Sequence, residues 1–433
     1  MSKILILIEP VEGHFNPFIS IITKLLAQGH QVACITGIRF KHRIEQLGAS
    51  YVPLPLKWDP GEQEVYDFFP ELKNKTGLAQ IKFYLKHIMY AQVPDILNVL
   101  ENTLPGFPAD VVVCDTFMVA GNWISELGGP PSVRLSVLPL SLPGKDIAPF
   151  GLGLLPGKSV LTKLRNNLLN LIFEKLLFRD VQVYVNSIRT QVGLAVFDKS
   201  FFIKGYEIPD LVLHTSIPAF EYPRPKIADN FRFIGPSLMP PDTEYSMPAW
   251  WSEIDQGLPI ILLNQGTIAK NHADLIRPAI EALTDEPVIV VIVPATTGEL
   301  HDLPKNMYAE AYIPFANLLP HIDIMISNGG LGGTQNALAH GLPVIIAGAT
   351  EDKMEVAARI EFSGAGINLR QKSPTAAEIK TAVHNILNTP AFKQKASELQ
   401  ADYANYDAAT LAVESIETLI KETKKTMDSK AMI

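Results

Sequence analysis

The sequence predicts an α/β protein of two doubly wound halves that face each other across a cleft. Three observations carry this reading. Short β-branched apolar runs alternate with segments of helical period, the alternation breaks at a proline-rich stretch and restarts, and each half opens with a strand followed by a glycine-bearing turn. Continuous apolar strands separated by helices mean a parallel sheet covered on both faces.

In the first half, Ile4–Ile8, Gln31–Thr36 and Val111–Cys114 read as strands, and Pro17–Ala27 and Val119–Leu127 as helices. From about Pro139 the pattern loosens into a Pro/Gly/Leu loop over 148–157, followed by helical stretches from Val160 to about Arg189; this region reads as an insertion or lid. The prolines of Gly235–Asp242 cannot continue a helix or a central strand, so the segment reads as an interdomain linker. Strands then recur at Ile260–Leu263, Val288–Val293, Ile322–Ile326 and Val344–Ala347, with surface helices at about Thr375–Ile386 and Ala408–Lys424 and a frayed end. The predicted division is 1–235, 236–405, and a C-terminal segment 406–433 whose helix packs back on the first half. Two such Rossmann-like halves place a cleft where the carboxyl ends of both sheets meet, and the active site belongs there.

Composition narrows the function. With 433 residues, 47% hydrophobic and 19% charged, the chain has the apolar content for two large cores and is not disordered. A net charge of −8 without a basic stripe argues against nucleic-acid binding. Cys34 and Cys114 lie in apolar runs without the spacing of a disulfide framework or a zinc site, which points to a reducing compartment. The first apolar run stops at Glu9, too short for a signal peptide or for a membrane span of about 20 residues, so a cytoplasmic protein is expected.

Three turns carry candidate chemistry. In Glu9-Pro10-Val11-Glu12-Gly13-His14-Phe15-Asn16-Pro17, the strand-to-helix turn puts His14 at the sheet's carboxyl edge. There a helix N-terminus lowers the imidazole pKa and favours the neutral base. His14 is then either a general base or a loop histidine capping a turn. Asp115, one crossover away, can hold the imidazole N–H or serve as a helix N-cap. In Ser327-Asn328-Gly329-Gly330-Leu331-Gly332-Gly333-Thr334-Gln335-Asn336, glycines let backbone N–H groups approach a pyrophosphate at a helix start. The segment is neither a P-loop nor the dinucleotide fingerprint. Asn264-Gln265-Gly266-Thr267 forms a second such junction, where Thr267 can add a hydroxyl. In Gly348–Glu355, Glu351 and Asp352 are either ordinary acids at a helix start or, for Asp352, a hold on a sugar hydroxyl.

These segments, in this order, resemble the nucleotide-sugar-dependent glycosyltransferases of the GT-B fold, family one, with the bacterial macrolide and flavonoid transferases. The resemblance spans nearly the whole chain: Gly-His-Phe-Asn-Pro, Asp115 in Cys114-Asp115-Thr116-Phe117, Gln265-Gly266-Thr267, and a donor motif from Tyr312-Ile313-Pro314 through Leu318–Asp323 to Asp352. It implies that His14 deprotonates an acceptor hydroxyl, that Asp115 holds His14, and that the oxygen attacks the anomeric carbon with inversion as the nucleoside diphosphate departs. It assigns donor binding to the second half, at Gly266, Thr267, Ile313, Asn328, Gly330, Gly332, Gly333, Thr334, Asn336, Glu351, Asp352 and Lys353. Acceptor binding falls to the first half and its lid, at Phe15, Phe117, Phe150 and Leu152.

The chain departs from the family pattern at the donor. Asn328 replaces a histidine, Gly333 a Ser/Thr phosphate ligand with Thr334 next door, Asn336 a ribose-holding Glu, and Lys353 the Gln of an Asp-Gln pair. The partners implied are a nucleotide sugar, UDP- or dTDP-linked, and a small hydrophobic acceptor. No cofactor is expected, and because the chain has no Asp-x-Asp, no metal. Pro, Leu and aromatic residues in 51–66, 83–89 and 138–155 fit an apolar acceptor. Leu161–Arg179 carries Lys163, Arg165, Lys175 and Arg179 beside many leucines; such a helix either touches a membrane surface peripherally or, more commonly, buries its leucines against its own domain. The altered donor residues also motivate a non-catalytic partner protein, and a nucleotide-sugar epimerase uses the same architecture. The apolar lid argues against the epimerase, and His14 with Asp115 favours the transferase.

Overall fold

A computed structural model describes residues 1–431 apart from 225–226, 255–256, 267–270, 295–299, 301 and 349–351. The first sheet holds seven parallel strands: β1 (Lys3–Leu7), β2 (Gln31–Thr36), β3 (Ser50–Pro53), β4 (Val111–Asp115), β5 (Ser132–Ser136), β6 (Leu211–His214) and β7 (Phe231–Phe233), in the order β3-β2-β1-β4-β5-β6-β7. The second holds six: β8 (Ile260–Asn264), β9 (Ile289–Ile292), β10 (Met307–Ala309), β11 (Ile324–Ser327), β12 (Val344–Ile346) and β13 (Gly366–Asn368), in the order β10-β9-β8-β11-β12-β13. Both sheets are doubly wound, and strand order reverses between β1 and β4 in one and between β8 and β11 in the other. Ligands of such sheets bind at those switch points, beyond the carboxyl ends of the strands.

The central strands form because their runs are apolar on both faces. Ile4, Ile6, Val111 and Val113 of β1 and β4 enter one core, while Leu5, Leu7, Val112 and Cys114 enter the core on the opposite face. The helix Glu12–Ala27 begins five residues before the expected Pro17. Pro17 is tolerated inside it because its missing N–H leaves unpaired only the carbonyl of Gly13, which is exposed. His14 therefore sits in the first helical turn rather than in the loop before it.

Chain crossings tie the halves together. Ile217 and Phe220, between β6 and β7, are buried in the second half's core, and Gln335 Nε2 donates to the Thr215 carbonyl at 2.9 Å. The helix Pro390–Tyr403 packs on the second core, whereas Ala412, Val413 and Ile416 of the helix Ala408–Ala431 join the first. Both cysteines are buried and unpaired. Among the described residues, no helix is long and apolar enough to cross a membrane.

Candidate active site

At the first switch point, His14 stands in the first turn of the helix after β1 and Asp115 ends β4. Their side chains meet at 2.8 Å, His14 Nδ1 to Asp115 Oδ2, with Asp115 fully buried and His14 almost so. The other carboxylate oxygen, Oδ1, accepts the Phe117 N–H at 2.9 Å, so both oxygens are engaged and the carboxylate cannot turn away. The next helix, Val119–Trp123, takes Met118 as its N-cap, so Asp115 closes a turn and orients the imidazole without capping that helix. Phe117 lies against the His14 ring, centroids 4.7 Å apart, and Tyr84 lies against Phe117 at 5.1 Å.

Burial works to lower the His14 pKa, but the adjoining Asp115 charge and hydrogen bond, with Glu9 and Asp352 further off, carry it above its ordinary value of 6.5. The direction is opposite to the expected lowering, because the neighbouring carboxylates outweigh burial. That the Asp352 charge reaches His14 also places the start of the helix Lys353–Ser363, in the second half, across the cleft from the dyad.

Glu9 is a member of this site that sequence reading treats only as the end of an apolar run. Its carboxyl is buried, one oxygen accepts the Tyr84 hydroxyl at 3.0 Å, and the Gln92 amide also lies against it. Burial first, and the Asp115 charge second, push its pKa up to about 7. The hint in the sequence is a carboxylate directly after five buried apolar residues, Ile4–Ile8, a place where it must be protonated or paired.

At the second switch point, β11 leads through Asn328-Gly329-Gly330 into the helix Leu331–Ala339. Gly329 is at φ +88°, and a Cβ there would lie 2.6 Å from Ile346 Cγ2, so only glycine makes the turn. Gly330 is the N-cap and offers no side chain to the first-turn N–H groups; Gly330 and Gly332 border open space. The Asn328 amide donates to the Gln265 carbonyl, which joins this turn to the one after β8, where the Gly266 N–H donates to Asn264 Oδ1 at 2.9 Å. Asn336 Nδ2 turns back to the Gly332 carbonyl at 2.8 Å. Gly333 is half-buried at the same helix start, and the turn carrying Asp352 and Lys353 lies against Gly329 and Gly348.

Some expected residues lie elsewhere. Phe15 is fully buried, stacked on Phe40 at 4.2 Å under the Arg43 guanidinium, and belongs to the core instead of the acceptor site; one helical residue on from His14, it points about 100° away. Thr334, one position past the open turn, is fully buried in the first turn of the helix Leu331–Ala339, and its hydroxyl has no hydrogen-bond partner among the described residues. The Ile313 side chain is a core residue, leaving only its backbone for a ligand. Phe150 lines a small internal cavity with Ile147, Phe173, Phe202 and Arg359, and Leu152 is half in solvent on the same loop. Thr267 and Glu351 fall outside the described residues.

A buried charge network ties this loop to the donor-side helix. Glu355 Oε1 accepts the N–H groups of Gly151 at 2.8 Å and Gly153 at 2.9 Å, and its Oε2 meets Arg359 at 3.0 Å. Arg359 reaches Glu221 at 2.7 Å, which takes His214 Nε2 at 3.2 Å and the Leu140 N–H at 3.0 Å. Burial works against the Glu221 charge, but the Arg359 guanidinium outweighs it and holds the carboxyl well below its usual range. The lid thus hangs on the helix that Asp352 opens.

Solved structures place this architecture in a known class. The glycotransferase of kitacinnamycin matches with a TM-score of 0.73 over 96% of this chain and 98% of that one, at 18% identity, which assigns the GT-B fold. A sequence model of the erythromycin biosynthesis protein CIII-like C-terminal domain matches residues 279–419. The chain is 37% identical over 422 residues to 4'-demethylrebeccamycin synthase of Lentzea aerocolonigenes, covering 97% of this chain and 100% of that one. It is 32% identical over 433 residues to UDP-glycosyltransferase 2 of Phaeomoniella chlamydospora, covering 95% and 94%. The chain belongs to the family-one, nucleotide-sugar-dependent glycosyltransferases, and it is a glycosyltransferase enzyme.

Proposed function

We propose that the protein moves a sugar from a UDP-sugar to a hydroxyl of a small apolar natural product, with inversion and without a metal or cofactor. The observation that carries this reading is the buried His14–Asp115 contact of 2.8 Å, at the sheet edge that faces the donor half. With Nδ1–H donated to Asp115, the opposite nitrogen, Nε2, is free to take the acceptor's hydroxyl proton. The oxygen then bonds to the anomeric carbon from the face opposite the diphosphate, whose C–O bond breaks with its electron pair. The first-turn N–H groups of the helix Leu331–Ala339 meet the departing charge, Asn328 borders them, and Lys353 adds a cation. Asp352 holds a sugar hydroxyl. Phe117, with the loop bearing Phe150 and Leu152, forms the apolar acceptor wall.

Replacing His14 by Ala tests the base: transfer is lost while calorimetric binding of UDP is retained. Persisting transfer in that variant overturns the assignment. Titrating UDP against dTDP, with and without added magnesium, tests the donor. Preference for UDP in the absence of metal is expected, and tighter dTDP binding or a strict metal requirement would correct it.

A further inference from the structure

The helix Val160–Ile172 is oriented inside out. Its inward face is polar: Asn166, fully buried, donates from Nδ2 to the carbonyls of Asp146 at 2.8 Å and Leu155 at 3.2 Å, and Asn170 Nδ2 donates to the Ile147 carbonyl at 2.7 Å. The helix is therefore fastened to the lid loop by amides. Most of its apolar residues are left in water: Leu169 and Ile172 are half-buried, but Val160, Leu161, Leu164, Leu168 and Leu171 are between 54% and 81% exposed, and Leu176 in the following turn is 70% exposed. At 100° per residue the five helical positions fall within an arc of about 100°, one continuous stripe. Scattered exposed leucines are ordinary, but a contiguous row of this kind marks an interaction surface.

The charge around the stripe identifies what covers it. Segment 158–179 holds Lys158, Lys163, Arg165, Lys175 and Arg179 against one carboxylate, Glu174, in a chain whose net charge is −8. Lys163 is paired with Asp146 at 3.3 Å and Lys175 with Glu174 at 3.8 Å, while Arg165, on the flank of the stripe, and Arg179, beside Asp180, are exposed. A second copy of the chain would bring cations onto cations across a two-fold axis. An anionic lipid surface satisfies both features, taking the leucines among its acyl chains and the basic residues at its headgroups.

We infer that this helix docks the enzyme onto an anionic membrane surface, with the lid loop that borders the cleft held directly against it. The inference rests on the exposed stripe and its charge and does not depend on which sugar or acceptor the enzyme uses.

Flotation of the full-length protein with vesicles tests it, comparing phosphatidylglycerol–phosphatidylcholine mixtures with phosphatidylcholine alone. Expected are binding to the anionic vesicles, weakening with salt, and a loss of roughly tenfold or more in the variant L161Q/L164Q/L168Q/L171Q. Those side chains are already solvated, so that variant keeps its melting temperature and nucleotide binding. Replacing Lys158, Arg165 and Lys175 by Gln lowers affinity several-fold per charge. In an L168W variant, tryptophan emission shifts to the blue on anionic vesicles. Absence of vesicle binding, equal binding by the leucine variant, or a dimer that the leucine variant dissociates without any vesicle binding would each overturn the inference.

Discussion

Replacing Asp115 with Asn changes one atom pair and, in this structure, reverses a tautomer. The Phe117 N–H, 2.9 Å from Asp115 Oδ1, requires an acceptor, so the new amide must present its oxygen there. Its NH2 group is then left facing His14 Nδ1, the atom that Asp115 Oδ2 contacts at 2.8 Å. With a donor opposite it, Nδ1 becomes an acceptor and the ring proton moves to Nε2, the nitrogen that in the proposed mechanism receives the hydroxyl proton. A wrong tautomer of this kind costs about 10^4 in turnover in serine proteases, roughly 5 kcal/mol of transition-state stabilisation. We expect a fall in kcat of about 10^3 to 10^4, with UDP affinity and melting temperature little changed. The pH profile reports the same contact. On the proposed mechanism activity requires neutral His14, so in the wild type kcat/KM is expected to fall as pH drops through a His14 pKa that lies above 6.5. Without the Asp115 charge that limb moves to lower pH. A loss smaller than about tenfold with the limb unmoved would refute the assignment of Asp115 as the orienting group.

Three further outcomes follow from the packing. The Glu9 pKa is raised from 4.5 to about 7, so the folded state binds a proton more tightly than the unfolded chain and stability declines as pH rises through that window; Glu9→Gln removes up to about 3 kcal/mol of this decline, read by urea denaturation at pH 5 and pH 8. Arg359→Met leaves Glu221 and Glu355 buried without their shared cation and costs about 3–5 kcal/mol in the same assay; a change under 1 kcal/mol would mean that the network is not a structural tie. Gly153 is at φ +58°, and a Cβ there would lie 3.0 Å from the Met354 carbonyl oxygen, so Gly153→Ala costs about 1–2 kcal/mol and loosens the lid, read as faster proteolysis of segment 148–157.

The residues of both switch points are legible in the chain because each follows a run that is apolar on both faces. Ile4–Ile8 before His14, Val111–Cys114 before Asp115 and Ile324–Ile326 before the glycine turn read as buried parallel strands, and what comes next then lies at a carboxyl edge. Strand β5 escapes that logic. Ser132-Val-Arg-Leu-Ser136 alternates polar with apolar, yet it is wholly buried, because Arg134 finds the Gly205 carbonyl at 2.7 Å and the Tyr206 ring, and Ser132 finds Asp210, partners some 70 residues away. Burial of the polar groups in β5 depends on contacts that no local pattern reports.

Side-chain direction divides in the same way. Sequence alone determined the two doubly wound halves, the glycine turn and the place of His14 and Asp115 at one sheet edge, since hydrophobic periodicity is a local property of the chain; it left both residues open between a catalytic and a capping role, and only the family resemblance paired them. Only the tertiary structure decided that Phe15 turns into the core, that Glu9 stands beside the dyad, that Glu355 and Arg359 hold the lid, and that the leucines of Val160–Ile172 face outward. Rotation about a helix axis is set by what the opposite face can bond to, and for this helix the buried asparagines bond to carbonyls of the lid loop.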